Sequence, residues 1–185
     1  MRVLIIFSCL LVGLVSCNQS TEYMDEVKKI NSLLEQVAES KVEFDLIPHE
    51  EINNRLDSIN TVIRFIEESS GGEISKENGL LLDSYRGTKS IVKRFGKRTS
   101  QMKVEYDRTK SQLVNFKKAL MENASHDKNN SEINEKYIKL NMKKEEEAAS
   151  TLISSVKELN ARGNRFIEQH DEKAAALNPY LNSLK

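Results

Sequence analysis

The chain has 185 residues, with 28 basic and 28 acidic side chains, so its formal net charge is zero. Seven glycines, two prolines and no tryptophan make it poor in turn formers, and its wealth of Lys, Glu, Leu, Asn and Ser suits long helices more than a sheet. Both cysteines, Cys9 and Cys17, lie in the first 17 residues, which excludes a disulfide framework for everything that follows.

The N-terminal stretch comes first in order and in information. Arg2 supplies a positive charge, Val3 to Val15 is almost wholly apolar, and Leu14-Val15-Ser16-Cys17 follows a large–any–small–Cys pattern. The apolar run is too short for a spanning helix, which needs about 20 residues, and its shape is that of a secretory signal. Those four residues match the bacterial lipobox, and over this leader the chain resembles bacterial lipoprotein precursors. The resemblance implies that residues 1–16 are a signal peptide removed before Cys17. It also implies that the Cys17 sulfur carries a diacylglyceryl group, and that residues 17–21 form the lipidated cysteine and its tether. Each buried methylene of such a lipid contributes about 0.8 kcal/mol, so several acyl chains hold a protein to a membrane almost permanently. In enterobacterial lipoproteins an Asp after the lipidated cysteine signals inner-membrane retention. Asn18 stands there in this chain, which implies the outer membrane, facing the periplasm, within the cell envelope. With Cys9 removed and Cys17 consumed, an exported domain must be held by packing alone, so a sizeable helical core is expected.

Residues 22–185 read as one helical domain. Tyr23, Val27, Ile30, Leu34, Val37 and Phe44 recur in a four-three rhythm and predict a first helix. Pro48 is suited to the first position of a second helix, with Glu50 and Glu51 in its first turn; Ile52, Leu56, Ile59, Ile63 and Ile66 continue the rhythm until Ser69-Ser70-Gly71-Gly72. The third pattern runs unbroken through Leu81, Tyr85, Thr88, Val92, Phe95, Thr99, Met102, Tyr106, Thr109, Leu113, Phe116 and Leu120. It predicts one helix over 80–121, roughly 60 Å long. A fourth helix is expected from Ser131 to about Asn178, stopped by Pro179. Its stripe of Ile133, Tyr137, Leu140, Lys144, Ala148, Leu152, Val156, Leu159, Gly163, Phe166 and His170 carries a four-residue stutter at Lys144–Ala148–Leu152.

Two helices of about 20 residues followed by two of about 45 predict an all-α antiparallel bundle. The expected form is a four-helix base from which a coiled-coil hairpin, residues 102–151, protrudes. That hairpin is the expected surface for a protein partner or for self-association.

Charge is unevenly spread. Residues 18–80 hold 14 acids and 6 bases, net −8, and residues 81–120 hold 3 acids and 11 bases, net +8. Arg86, Lys89, Lys93, Arg94, Lys97, Arg98 and Lys103 fall in one stretch, 84–104, without an acid. This half-helix either pairs with the acidic first two helices or binds anionic envelope material: lipid headgroups, lipopolysaccharide or wall polymer. The helical-seam pairing is the preferred reading. Nucleic acid is not an expected partner of an exported lipoprotein.

No motif for chemistry is complete. His49-Glu50-Glu51 opens like a zincin helix but lacks the second histidine four residues on. No histidine follows a Glu by three residues, as di-iron bundles require. Asp127, Asn129 and Ser131 have calcium-loop spacing, yet Glu132 replaces the required Gly and Ile138 the terminal Glu. No phosphate loop or nucleophile elbow is present. The expectation is therefore no catalytic residue, no metal, no cofactor beyond the covalent lipid on Cys17, and a helical scaffold or adaptor rather than an enzyme.

Overall fold

The computed structural model describes residues 21–185. Helix makes up 83% of them and none forms a strand, in accord with the all-α expectation. A 3-10 turn, Thr21–Tyr23, leads into α1, Met24–Asp45. Then come α2, His49–Ser69, and α3, Lys76–Gly87. A second 3-10 turn, Thr88–Ser90, precedes α4, Phe95–Met121, and the last element is α5, Glu135–Ser183.

The helices form three parallel columns rather than a base and an arm. α5 is the unbroken column; its 49 residues span about 73 Å. α1 packs on α4 and on the first half of α5, whereas α2 packs on α3 and on the second half. Ser40 and Phe44 meet Leu152 and Val156 in one small cavity. Further along, Ile52 stands against Gly163, and Arg55 reaches Asp171. Residue numbers rise together on both sides, so α1 and α2 run end to end, parallel to α5. The third column, α3 then α4, runs antiparallel to them. The expected naked hairpin at 102–151 is thus corrected: α1 lies along it and buries Val27, Ile30, Val37 and Phe44.

The reason lies in the link between α1 and α2. Three residues, Leu46-Ile47-Pro48, join them, and Ile47 is buried with Phe44. With both apolar side chains facing the core, the chain continues onward instead of reversing. The true reversal is the turn at 70–75. There Gly71 and Gly72 sit at φ 61° and 89°, backbone that residues with a Cβ adopt only under strain. Ser75 then caps α3 by accepting from the Asn78 N–H at 3.2 Å.

The expected helix over 80–121 begins earlier, at Lys76, and breaks in the middle. The Thr88 hydroxyl donates to the Tyr85 carbonyl at 2.7 Å, and i→i+3 bonds follow at Ile91, Lys93 and Phe95. Arg94 takes a left-handed φ of 67°, which costs about 1–2 kcal/mol in a residue with a Cβ. Val92 and Phe95, on either side of the break, both stay buried, each under a tenth exposed, and burying two such side chains at about 1.5–3 kcal/mol each outweighs that strain.

α5 starts at Glu135, later than Ser131, because Asn134 caps it by accepting from the Tyr137 N–H at 3.0 Å. It passes through Pro179, correcting the expected stop. Pro179 is exposed one turn from the helix end, where the carbonyl it leaves unbonded can meet water, and Tyr180, Leu181 and Leu184 beyond it pack on the core.

Candidate functional site

Two features stand out: a joint halfway along the rod, and a tight loop at one end. The joint is where α1 gives way to α2 and α3 to α4, both at the same height. Phe44, His49 and Phe95 stack there, with ring centroids 5.4 and 5.6 Å apart. Gly163 of α5 faces them. A Cβ on Gly163 would lie 2.8 Å from Ile52 Cδ1 and 3.7 Å from Phe95, so the absence of a side chain lets α2 approach. His49 Nε2 has no hydrogen-bond partner among the described residues. Burial holds its pKa below the ordinary histidine value, and Lys103 nearby pushes the same way.

The seven basic candidates divide at this joint. Arg86 reaches Glu67 of α2 at 3.1 Å and Asp83 of its own helix at 3.7 Å. Lys89 bonds Asn60 of α2. Arg98 turns to Glu158 of α5 at 3.3 Å. These three serve the seams between columns. Lys103 lies beside His49. Lys93, Arg94 and Lys97 are exposed and make no ion pair among the described residues. The sequence grouped seven bases as one surface; the structure leaves three of them free together, at the joint. Cys17 lies outside the described residues.

Above the joint, on the α2–α3 side, a polar layer, buried at Tyr85 and His170 and exposed at Asp171, ties three helices. His170 Nδ1 lies 2.9 Å from Asp171 Oδ1, and its Nε2 lies 3.1 Å from the Tyr85 hydroxyl. In the neutral imidazole, Nδ1–H donates to the carboxylate and Tyr85 donates to Nε2. Arg55 of α2 donates two bonds to Asp171, at 3.0 and 2.9 Å, and one to Glu51 at 2.7 Å. The guanidinium is the main reason the Asp171 carboxyl falls to about 2, with the His170 bond second. Burial pushes the Tyr85 hydroxyl up. The arrangement has the members of a proton relay, its Arg55 and Glu51 line an open recess at the joint, and its bonds across three helices make it a cross-brace. Sequence reading placed Tyr85 and His170 on the seams but could not pair them, because their meeting depends on the register of α3 against α5.

The end loop, 122–134, is folded by Asp127. Its carboxylate accepts from the N–H groups of Asn129 and Ser131, both at 2.8 Å, and from the Tyr137 hydroxyl at 2.9 Å. Those bonds hold the Asp127 carboxyl below its usual range, the Ser131 backbone foremost. Burial, then the Asp127 bond, pushes Tyr137 up to about 12. The calcium-like spacing thus has a structural use. Its oxygens are spent inside the loop, and among the described residues no cluster of three metal-ligating side chains forms. Tyr23 lies within electrostatic range of Glu135, so α1 begins at this same end of the rod. Among the described residues no helix is long and apolar enough to cross a membrane.

No family model, no characterised protein and no solved structure matches this chain.

Proposed function

We propose that the protein is an envelope lipoprotein that serves as a non-enzymatic helical scaffold, a rod held upright on a lipidated Cys17. One observation carries this reading: the 3-10 turn that leads into α1 begins at Thr21, four residues after the lipobox cysteine, and its Tyr23 lies within electrostatic range of Glu135 at the start of α5. Four residues of chain span at most about 14 Å. A lipid on Cys17 therefore brings the loop 122–134 down to the membrane. The turn at 70–75 and the C-terminus then stand about 70 Å away. This reverses the expected polarity: the α4–α5 hairpin tip is the foot, and the partner-facing end is the 70–75 turn. Outer-membrane attachment facing the periplasm remains the favoured address from Asn18. The test is acyl-chain labelling and membrane fractionation of the wild type and Cys17→Ala. The account expects label and membrane retention in the wild type, and neither in the variant, which accumulates as precursor. Normal labelling of Cys17→Ala overturns the anchor.

A second reading, a module for anionic envelope material, draws support from the free cations Lys93, Arg94 and Lys97. On an upright rod they stand about 40 Å above the foot, at the far end of the 27-residue α4. That height suits a wall polymer better than the headgroups of the anchoring membrane.

A further inference from the structure

The joint carries two opposite charge patches at one height on two different columns. On the first column, Glu39, Glu43 and Glu50 are exposed and form no ion pair among the described residues. Between them stand Val42 and Leu46, 61% and 74% exposed, and Leu46 is the most exposed large apolar side chain of the described residues. Beside them Pro48, Glu50 and Asn54 line an open recess of about 510 Å³. On the third column, Lys93, Arg94 and Lys97 are exposed and make no ion pair among the described residues. The Phe44–His49–Phe95 stack fixes the two patches at the same level.

We infer that the partner at this level is a second copy of the chain, docked side by side and parallel, with its Lys93, Arg94 and Lys97 against Glu43, Leu46 and Glu50 of the first. The inference rests on the anchored reading, because a lipid on every copy points all rods the same way and holds the two patches at equal height. An antiparallel neighbour also matches the joint level, but a shared membrane forbids it. The two patches lie on different columns of a three-column rod, so the contact is heterologous. Copies therefore assemble as a row or a closed ring rather than as an isologous dimer. Complementary patches steer encounter and fix register, and like charges brought together are strongly disfavoured. Exposed Leu46 supplies the apolar centre that such a contact needs. Confinement to a membrane raises the effective concentration, so a weak contact is sufficient.

The experiment uses the full-length chain in a bacterial host, co-expressing two differently tagged copies, one Leu46→Cys and the other Lys97→Cys. A short bis-maleimide reads their proximity. Acyl labelling and membrane fractionation of the same cells score the anchor separately. The expected result is a mixed-tag product from this pair, and little from Leu46→Cys with Ser70→Cys, whose heights differ. Glu43→Lys with Glu50→Lys in both copies should cut the product about tenfold, as should Lys93→Glu with Arg94→Glu. Combining all four reversals should restore it, which a folding defect would not do. Absence of the product from a labelled, membrane-bound chain overturns the inference and leaves the anchor standing. Equal product from the height-mismatched pair also overturns it. If reversing only the bases matters, and it abolishes salt-sensitive binding to purified wall fragments, the patch belongs to an anionic polymer and the inference fails. Should the label be missing, the anchor fails, and the same cysteine pair in purified chain at high concentration tests the docking by itself.

Discussion

The two halves of the rod are built from the same four-three rhythm but pack differently. In the half formed by α2, α3 and the end of α5, Ile52, Ile59, Ile66, Phe166 and Leu177 are fully enclosed, and the polar layer Tyr85–His170–Asp171–Arg55 has its groups partnered. In the half formed by α1, α4 and the start of α5, the α4–α5 seam gapes. Two grooves of about 570 and 510 Å³ run along it, and Asn141 and Glu145 line both. Glu145 is half-buried with Oε2 unpaired, and desolvation raises its pKa despite Arg108 and Lys144. A seam position thus contributes according to whether its polar groups find partners. The partnered His170 and Tyr85 strengthen one half where the unpaired Glu145 weakens the other.

The largest expected effect contrasts two phenylalanines. Phe166→Ala, in the enclosed half, should cost about 4–5 kcal/mol in chemical denaturation. Phe116→Ala, beside a groove into which neighbours can collapse, should cost nearer 3. Equal losses would show that the halves do not differ in packing. Next, His170→Ala should cost about 2–3 kcal/mol, because it takes from the buried Tyr85 hydroxyl its acceptor and leaves it only the bond from Ser58. Tyr85→Phe in the same background should then cost almost nothing further, a coupling that a double-mutant cycle reads directly. Additive losses would remove the cross-brace. A smaller effect has the opposite sign: Glu145→Met should stabilise the chain by about 1 kcal/mol at neutral pH.

The pH dependence follows the same contrast. A carboxyl with a raised folded pKa destabilises the ionised fold, so the Glu145 penalty is absent below its ordinary value near 4.5 and grows as pH rises through the raised one. Asp171 behaves inversely. Its stabilisation is complete above about 3.8 and is lost as pH falls toward about 2. Melts from pH 7 to 2 should therefore improve slightly near pH 4–5 and then fall. Glu145→Met should lose the first feature and Asp171→Asn the second. At the joint, Gly163→Ala should change stability by less than about 1 kcal/mol, since gained helix propensity offsets a push on the Ile52 terminus, whereas Gly163→Leu should cost about 2–3.

Much of this fold was legible. The apolar stripes located the helices: Tyr23–Phe44 marks α1, Ile52–Ile66 marks α2, and Ile133–His170 marks α5 short of its C-terminal turns. The break at 88–94 was hidden because Thr88, Val92, Phe95 and Thr99 keep helical spacing across it. Only the left-handed Arg94, a residue with no turn preference, marks it. The path of α1 was misjudged because Leu46-Ile47-Pro48 reads as a reversal. What keeps the chain straight is the burial of Ile47, a tertiary fact. For the charged site, residue types and the stretch 84–104 were visible, but which bases are free depended on where Glu67, Asn60 and Glu158 fall on neighbouring helices.

The polarity of the rod is the central claim, and depth measurement on the lipidated full-length chain tests it most directly. Single cysteines introduced as Ser125→Cys in the end loop and Ser70→Cys in the distant turn can each carry a fluorescent donor, with energy acceptors in the bilayer of reconstituted vesicles; a lipidated Cys17 offers no competing thiol. The account predicts strong energy transfer at position 125 and almost none at position 70, about 70 Å further out. Equal transfer at both positions, or stronger transfer at position 70, would contradict it.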